Sequence, residues 1–202
     1  MTATAAGYER SLDLRAIDEA IAIGQSRDEG VRERFHRLYR IAVGRPPFDY
    51  IDVVTPFRRV ELAAEERARA GDRLFRQSDA LAAVAEHGDT IKLFVEATFH
   101  PLNTYVGVPD YSVALTRSDS SERIEPRDRL QIPRLGPRVD GVASLPYPLP
   151  PSVPSGGQPL AGGTVIATFD GQRLDPRAAY EAIIEETGKE LARVRLDLGR
   201  LR

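Results

Sequence analysis

The chain contains three histidines, and one of them lies in a segment that concentrates groups able to bind a ligand. Residues 99–111 connect two β-rich runs and predict a surface loop, where binding sites usually occur. Its candidate binding residues are His100, Asn103, Tyr105, Asp110 and Tyr111. In a catalytic version of this hypothesis, His100 is the general base and Asp110 orients it. The alternative is an ordered connection that Pro101 and Pro109 stiffen and in which the tyrosines pack.

The other residues that could take part in catalysis or metal binding have simpler interpretations. His36 lies among arginines in a predicted helix and is interpreted as a surface or packing residue, and His87 as a helix-end residue. There is no cysteine, which excludes disulfides, thiol catalysis and cysteine-based metal sites. The carboxylates lack the spacing of an EF-hand or an HExxH helix, and the glycine-rich run lacks the lysine of a phosphate loop. The sequence therefore predicts no catalytic residue, no metal site and no cofactor.

Composition narrows the classes of partner and location. Hydrophobic residues make up 42% of the 202 residues and charged residues 29%, which is typical of a globular protein with a sizeable core. A net charge of -2 argues against a nucleic-acid partner, and no apolar run reaches the roughly 20 residues of a membrane span. Arginine greatly outnumbers lysine, which we interpret as bacterial codon bias. The Ala-rich start resembles a remnant beyond a cleavage site, which favours an exported or periplasmic protein over a cytoplasmic one.

Two helices are predicted at the start of the chain. Asp13 caps the first, over residues 13–26, and Asp28 caps the second, over 29–43. Because the break between them is short, they predict an antiparallel helical hairpin, which defines an N-terminal segment of residues 1–46.

From residue 47 to the C-terminus the sequence pattern mainly predicts β-strands. Predicted strands cover 50–62 with a break near Pro56, 90–99, 111–116, an edge strand over 129–132, and 164–169. A short helix is predicted over 79–86, and 63–71 is ambiguous. Nine of the 15 prolines lie between Pro126 and Pro159, so residues 126–163 predict an extended strap or a mobile excursion.

The stretch 174–184 carries the most specific pattern in the chain. Leu174, Pro176, Tyr180 and the apolar residues after them fall on every second position, the period of a strand with one buried face. The pattern resembles the tyrosine corner of fibronectin type III domains. The resemblance implies an immunoglobulin-like β-sandwich in which this tyrosine packs over a corner and its hydroxyl bonds to nearby backbone. Leu174, Pro176 and Tyr180 are therefore predicted to be structural residues.

The segment that follows this motif admits two interpretations. Alternation of apolar and charged residues over 190–198, with a Thr-Gly-Lys turn before it, favours a β-hairpin. A 4-3 apolar spacing across 175–201 allows a helix instead, although Gly188 would then lie within it.

Together these patterns predict an immunoglobulin-like β-sandwich over 47–202, a helical hairpin packed on it, and a Pro/Gly-rich strap. The function we predict is a non-enzymatic bacterial binding or structural module, possibly of the cell envelope, with a protein partner. The alternatives are a small-ligand-binding protein or hydrolase that uses the 99–111 loop, and a homo-oligomer that pairs through an exposed sheet edge.

Overall fold

The computed structural model describes residues 7–120, 122–136 and 159–202. These contain four α-helices and two antiparallel β-sheets, so helices form a larger part of the fold than the mainly β prediction allowed. The helices are α1 (Leu14–Gly24), α2 (Glu29–Tyr39), α3 (Pro56–Arg69) and α4 (Gln77–His87). The strands are β1 (Arg40–Arg45), β2 (Phe48–Val54), β3 (Ile91–Thr98), β4 (Tyr111–Arg117), β5 (Arg123–Ile124), β6 (Asp128–Leu135), β7 (Leu160–Phe169), β8 (Ala179–Glu186) and β9 (Lys189–Asp197).

The two sheets share one hydrophobic core. The first has the strand order β1-β2-β3-β7-β6 and the second the order β5-β4-β8-β9. Alternate residues of both sheets point into the core, with Val95 and Val165 from one sheet and Val113 and Ile184 from the other. Strands that follow each other in the chain and lie in the same sheet pair in antiparallel register, and α3 and α4 lie between β2 and β3. The connections β3–β4, β5–β6 and β7–β8 pass from one sheet to the other.

The C-terminal segment is a hairpin, which confirms the favoured interpretation over the helical alternative. Strands β8 and β9 pair in antiparallel register, with Glu186 opposite Lys189. The two turn residues, Thr187 and Gly188, both have positive φ, at 52° and 79°. Positive φ at both central positions suits the right-handed twist of the paired strands, and glycine adopts it without steric cost.

The N-terminal helices begin where their caps predict, but the second ends earlier than expected. The side chain of Asp13 accepts a hydrogen bond from Ala16 N and that of Asp28 from Gly30 N. Helix α2 stops at Tyr39, and residues 40–45, which the sequence placed in the helical hairpin, form β1 and pair with β2. Pairing with β2 satisfies the backbone hydrogen bonds of these residues. A longer helix would satisfy them too, but it would be exposed and would gain little from packing.

The helices form a second core of their own. Helix α1 packs its apolar side, which includes Ile17 and Ala20, against Phe57 and Val60 of α3, rather than chiefly against α2. Gly24, at the end of α1, lies so close to α3 that a Cβ there would come within 2.3 Å of the carbonyl oxygen of Glu61. The absent side chain therefore sets the spacing of the two helices.

The predicted strand over residues 50–62 is wrong in its second half. Strand β2 ends at Val54, and Thr55 caps α3 by accepting a hydrogen bond from Arg58 N, with Pro56 in the first turn. The β-branched residues favoured a strand, but the buried side of α3 follows helical spacing through Phe57, Val60 and Ala64.

The described part of the strap is regular structure. Residues 128–135 form β6 at the edge of the five-stranded sheet, which confirms the predicted edge strand, and Pro133 lies opposite Gly163. Residues 160–163, which we predicted to belong to an extended strap or a mobile excursion, begin β7, a central strand between β3 and β6. The remainder, over 137–158, lies outside the described residues.

Candidate functional site

The side chains of the 99–111 loop mainly hold the loop itself in place. The amide Nδ2 of Asn103 donates to the carbonyl oxygens of His100, at 2.7 Å, and Leu160, at 2.9 Å. Its Oδ1 accepts a bond from Tyr105 N at 3.0 Å, and Nδ1 of His100 accepts one from Leu102 N. The ring of Tyr105 packs edge-on against Phe99, with 5.0 Å between ring centroids.

The last two residues of the loop also contact other residues of the protein. Asp110 pairs with Arg129 at 2.7 Å rather than with His100. Tyr111 is buried against Phe48, and this burial raises the pKa of its phenol to about 12. The structure thus places the five predicted binding residues along one connection, but it does not bring His100 and Asp110 together as a catalytic pair.

The three predicted structural residues lie at the start of β8. The hydroxyl of Tyr180, whose side chain is buried, accepts a hydrogen bond from Asp175 N at 2.7 Å. Leu174 is buried in the shared core and Pro176 is half-buried next to it. The bond from a tyrosine hydroxyl to backbone five residues upstream is the contact that the sequence pattern implies.

A different group of polar side chains meets between α2 and α3. Glu61 and Glu65 lie one turn apart on α3, so both carboxyls point to the same side of that helix. That side faces α2, whereas Phe57, Val60 and Ala64 face the helical core. Helix α2 presents Arg32 and His36, also one turn apart, to the two glutamates.

The two glutamates have unequal sets of partners. Oε2 of Glu65 lies 2.9 Å from Nε2 of His36, and its Oε1 is 3.1 Å from Nε of Arg32 and 2.8 Å from Nη2 of Arg69. Oε1 of Glu61 is 3.8 Å from the same His36 nitrogen. Among the described residues, neither oxygen of Glu61 has a hydrogen-bond partner, and Nδ1 of His36 has none either.

Burial changes the pKa of the Glu61 carboxyl. Its side chain is 0% exposed. Removal from water raises the pKa of this carboxyl to about 8, and the neighbouring charge of Glu65 adds to the effect. Arg58, Arg32 and Arg69 oppose the shift only in part. Without a bound cation, Glu61 is therefore mostly a neutral acid at pH 7.

An ion pair at the base of this region holds α3 against the first sheet. Arg58 is fully buried and donates to both oxygens of Asp52, at 2.6 and 2.9 Å, and to the carbonyl of Val53. Its guanidinium also lies 4.8 Å from the ring centre of Tyr39. Strand β2 and the end of α2 thereby fix the rotation of α3, and with it the direction of Glu61 and Glu65.

These elements enclose a cleft with a volume of about 720 Å³, within the size range of small-molecule sites. His36 and Glu65 contribute to its lining, whereas the fully buried Glu61 is not one of the lining residues. The walls also include Arg37, Arg40, Tyr50 and Asp52. The cleft is therefore a polar cavity, and the buried carboxyl of Glu61 lies next to two of its lining side chains.

The sequence pattern did not predict this cluster, because Glu61 fell in the predicted strand over 50–62 and Glu65 in the ambiguous segment 63–71. His36 was interpreted as a surface or packing residue. The detectable signal was Thr55-Pro56, a typical helix start, which would have placed the two glutamates one turn apart. Their meeting with His36, 25 residues earlier in the chain, carries no local signal.

Comparisons with protein-family models, with curated proteins and with solved structures find no significant match to this chain. None of the helices in the described ranges combines the length and the apolar character that crossing a membrane requires.

Proposed function

We propose that this protein is a binding protein whose cleft between α2, α3 and the β1–β2 hairpin holds a small cationic ligand. The main supporting observation is Glu61, a fully buried carboxyl whose two oxygens form no hydrogen bond within the described ranges of the chain. Buried polar groups are normally paired, because leaving one without a partner costs about 1–3 kcal/mol and more if it is charged. A bound cation would supply that missing partner.

The surroundings of Glu61 support a cation rather than an anion at this position. Close to Glu61 lie another carboxylate, Glu65, and the imidazole of His36. Arg32 and Arg69 already pair with Glu65, and Arg58 pairs with Asp52. Within the part of the chain that the structure describes, Glu61 is therefore the carboxyl of this cluster that no arginine pairs with.

The proposal keeps the non-enzymatic binding module predicted from sequence and moves its site from the 99–111 loop to the cleft. The loop's polar atoms are largely used in its own hydrogen bonds, whereas Glu61, next to the cleft, has no hydrogen-bond partner among the residues that the structure describes. A protein partner, a homo-oligomer and a cell-envelope location stay predictions from the sequence.

We further propose that the two sheets form an immunoglobulin-like sandwich. The strand order supports this: β2-β3-β7-β6 and β5-β4-β8-β9 correspond to the orders A-B-E-D and C′-C-F-G of such domains. The hydrogen bond of the Tyr180 hydroxyl at the start of β8 supports it as well, because the tyrosine corner lies at the start of strand F. Helices α3 and α4 are then an insertion between the first two of these strands.

A thermal-shift series tests the cationic ligand. The metal-free protein is heated with K⁺, guanidinium, putrescine, Mg²⁺, Ca²⁺ and Zn²⁺ in turn, beside Glu61→Gln and the matched control Glu66→Gln, an exposed position on the same helix. We expect at least one cation to raise the melting temperature of the wild type and of Glu66→Gln but not of Glu61→Gln, since binding to the folded state stabilises it. Shifts that are absent, or equal in all three proteins, would overturn the proposal.

A further inference from the structure

We infer that the cation is a divalent transition-metal ion, bound by Nε2 of His36 and by the carboxylates of Glu61 and Glu65. This inference rests on the proposed binding function and names the chemistry of its ligand. His36, Glu61 and Glu65 each offer one ligand atom, and these atoms lie within 4.8 Å of one another. Among the described residues, no other group of three histidine or acidic side chains meets this criterion.

The distances suit an ion between the three side chains. Ligand atoms about 2.1 Å from a tetrahedral zinc ion lie roughly 3.4 Å from each other. The His36 nitrogen is 2.9 Å from Oε2 of Glu65 and 3.8 Å from Oε1 of Glu61, so these separations bracket that value.

The donor set selects the kind of metal. Mg²⁺ and Ca²⁺ prefer sites made entirely of oxygen ligands, whereas imidazole suits zinc, iron, nickel and copper. One imidazole and two carboxylates therefore favour a transition metal over the abundant alkaline-earth ions. The absence of cysteine from the chain leaves histidine and carboxylates as its ligands for such a metal.

The groups around the ligands have the roles expected of a metal site. Arg32 and Arg69 both contact Oε1 of Glu65, which orients that carboxylate and leaves Oε2 directed toward His36 and Glu61. Outer contacts of this kind fix the direction of a ligand and typically affect metal affinity 10- to 100-fold. Arg69 is therefore a positioning residue in this site.

Three protein ligands leave at least one coordination position for a fourth group. His36 and Glu65 line the cleft and the buried Glu61 does not, so we place the open side of the ion toward the cleft. Three protein ligands with an open position is the arrangement of reactive zinc sites, whereas structural zinc sites are closed by four. A water molecule or an oxygen of a small ligand would complete the coordination from the cleft.

The test measures metal affinity directly on the full chain. Chelator-treated protein is titrated with Zn²⁺ in competition with a chromophoric chelator, and with Co²⁺ while its visible absorption is recorded. We expect one ion per chain, a Co²⁺ spectrum of four- or five-coordinate type, and no competition from millimolar Mg²⁺ or Ca²⁺. Glu61→Gln and His36→Gln should each weaken Zn²⁺ binding at least 100-fold, and Arg69→Gln about 10-fold.

Matched controls separate this site from adventitious binding. Glu66→Gln and His87→Gln remove the same kinds of group outside the cluster and should leave the affinity unchanged. Circular dichroism and urea unfolding verify that each variant folds. The glutamine side chain in Glu61→Gln has nearly the same size and shape as the protonated side chain of Glu61. Zn²⁺ binding that survives in both Glu61→Gln and His36→Gln would place the ion elsewhere and overturn the inference.

The outcomes also distinguish this inference from the proposed function. If guanidinium or putrescine stabilises the protein through Glu61 while Zn²⁺ and Co²⁺ do not bind, the cationic site stands and the metal assignment is overturned. If no cation acts through Glu61, both are overturned. Binding of Mg²⁺ or Ca²⁺ in preference to Zn²⁺ would also contradict the transition-metal assignment.

Discussion

Arg58 of α3 and Asp52 of β2 form two parallel hydrogen bonds, of 2.6 and 2.9 Å, between the helical layer and the first sheet. The guanidinium is fully buried, whereas Asp52 is partly exposed. This pair connects the two hydrophobic cores and fixes the face of α3 that carries Glu61 and Glu65. The candidate site thus depends on a contact outside its own three side chains.

Replacing Arg58 should therefore destabilise the protein strongly. Arg58→Met leaves Asp52 with only the more distant Arg40, at 3.7 Å, and removes the Arg58 hydrogen bond to the Val53 carbonyl. Removing one member of a buried pair costs up to about 3–5 kcal/mol. Arg69→Gln removes an exposed guanidinium from Glu65, which keeps Arg32 and His36 as partners, and should cost less than about 1 kcal/mol. Urea unfolding monitored by circular dichroism measures both, and similar losses for the two variants would contradict this account.

Glu61 should make the stability of the metal-free protein fall as pH rises. The pKa of this group is about 8 in the folded state against 4.5 for the free side chain, so the folded state holds the proton more tightly. Its stabilising contribution is complete below about pH 4.5 and is lost as pH rises through 8, a change on the order of 5 kcal/mol.

The variant Glu61→Gln isolates that effect, because glutamine does not titrate. Between pH 5 and 9, in the presence of a chelator, the wild type should lose several kcal/mol relative to Glu61→Gln. Chemical denaturation at each pH gives the difference. Parallel stability curves for the two proteins would show that Glu61 ionises normally.

The Tyr180 hydroxyl should contribute measurably to stability. Tyr180→Phe removes the acceptor of the Asp175 N–H and keeps the buried ring, so we expect a loss of about 1–3 kcal/mol. Tyr105→Phe is the matched control, since that side chain is partly exposed in the 99–111 loop. Equal, negligible effects in urea unfolding would show that the hydroxyl does not stabilise the start of β8.

Two glycine-to-alanine substitutions should change the stability of the protein in opposite directions. A Cβ at Gly24 would lie 2.3 Å from the backbone oxygen of Glu61, so Gly24→Ala must push α1 away from α3, at a cost of about 1–3 kcal/mol. At Gly30 the nearest atoms belong to side chains, at 3.2 and 3.3 Å, and Gly30→Ala should gain up to about 1 kcal/mol of helix propensity. Melting temperatures compare the two, and a stabilising Gly24→Ala would refute the close helix contact.

The 99–111 loop should respond to Asn103 more than to His100. Asn103→Ala leaves the Leu160 carbonyl without a side-chain donor and should cost about 1–2 kcal/mol. His100 is exposed, so His100→Ala should change stability by less than about 0.5 kcal/mol. A large effect of His100→Ala on binding of any cation would return the candidate site to this loop.

Local patterns were sufficient for much of the β structure and for the helix starts. The caps at Asp13 and Asp28, the alternation along β8 and β9, and the Thr187-Gly188 turn depend on neighbours in the chain, and each lies where the sequence placed it. Tyr180 is similar, because its hydroxyl reaches only five residues upstream.

Tertiary structure decided the conformation of α3 and the assembly of the candidate site, because the residues that pack together there are distant in sequence. The β-branched run over 50–62 has strand propensity, yet its second half forms α3, since Phe57, Val60 and Ala64 can bury one face against α1 only as a helix. The candidate site depends on the same choice. Glu61 meets His36 and Glu65 only when α3 is helical and packed beside α2, and no propensity of the separate segments encodes that contact.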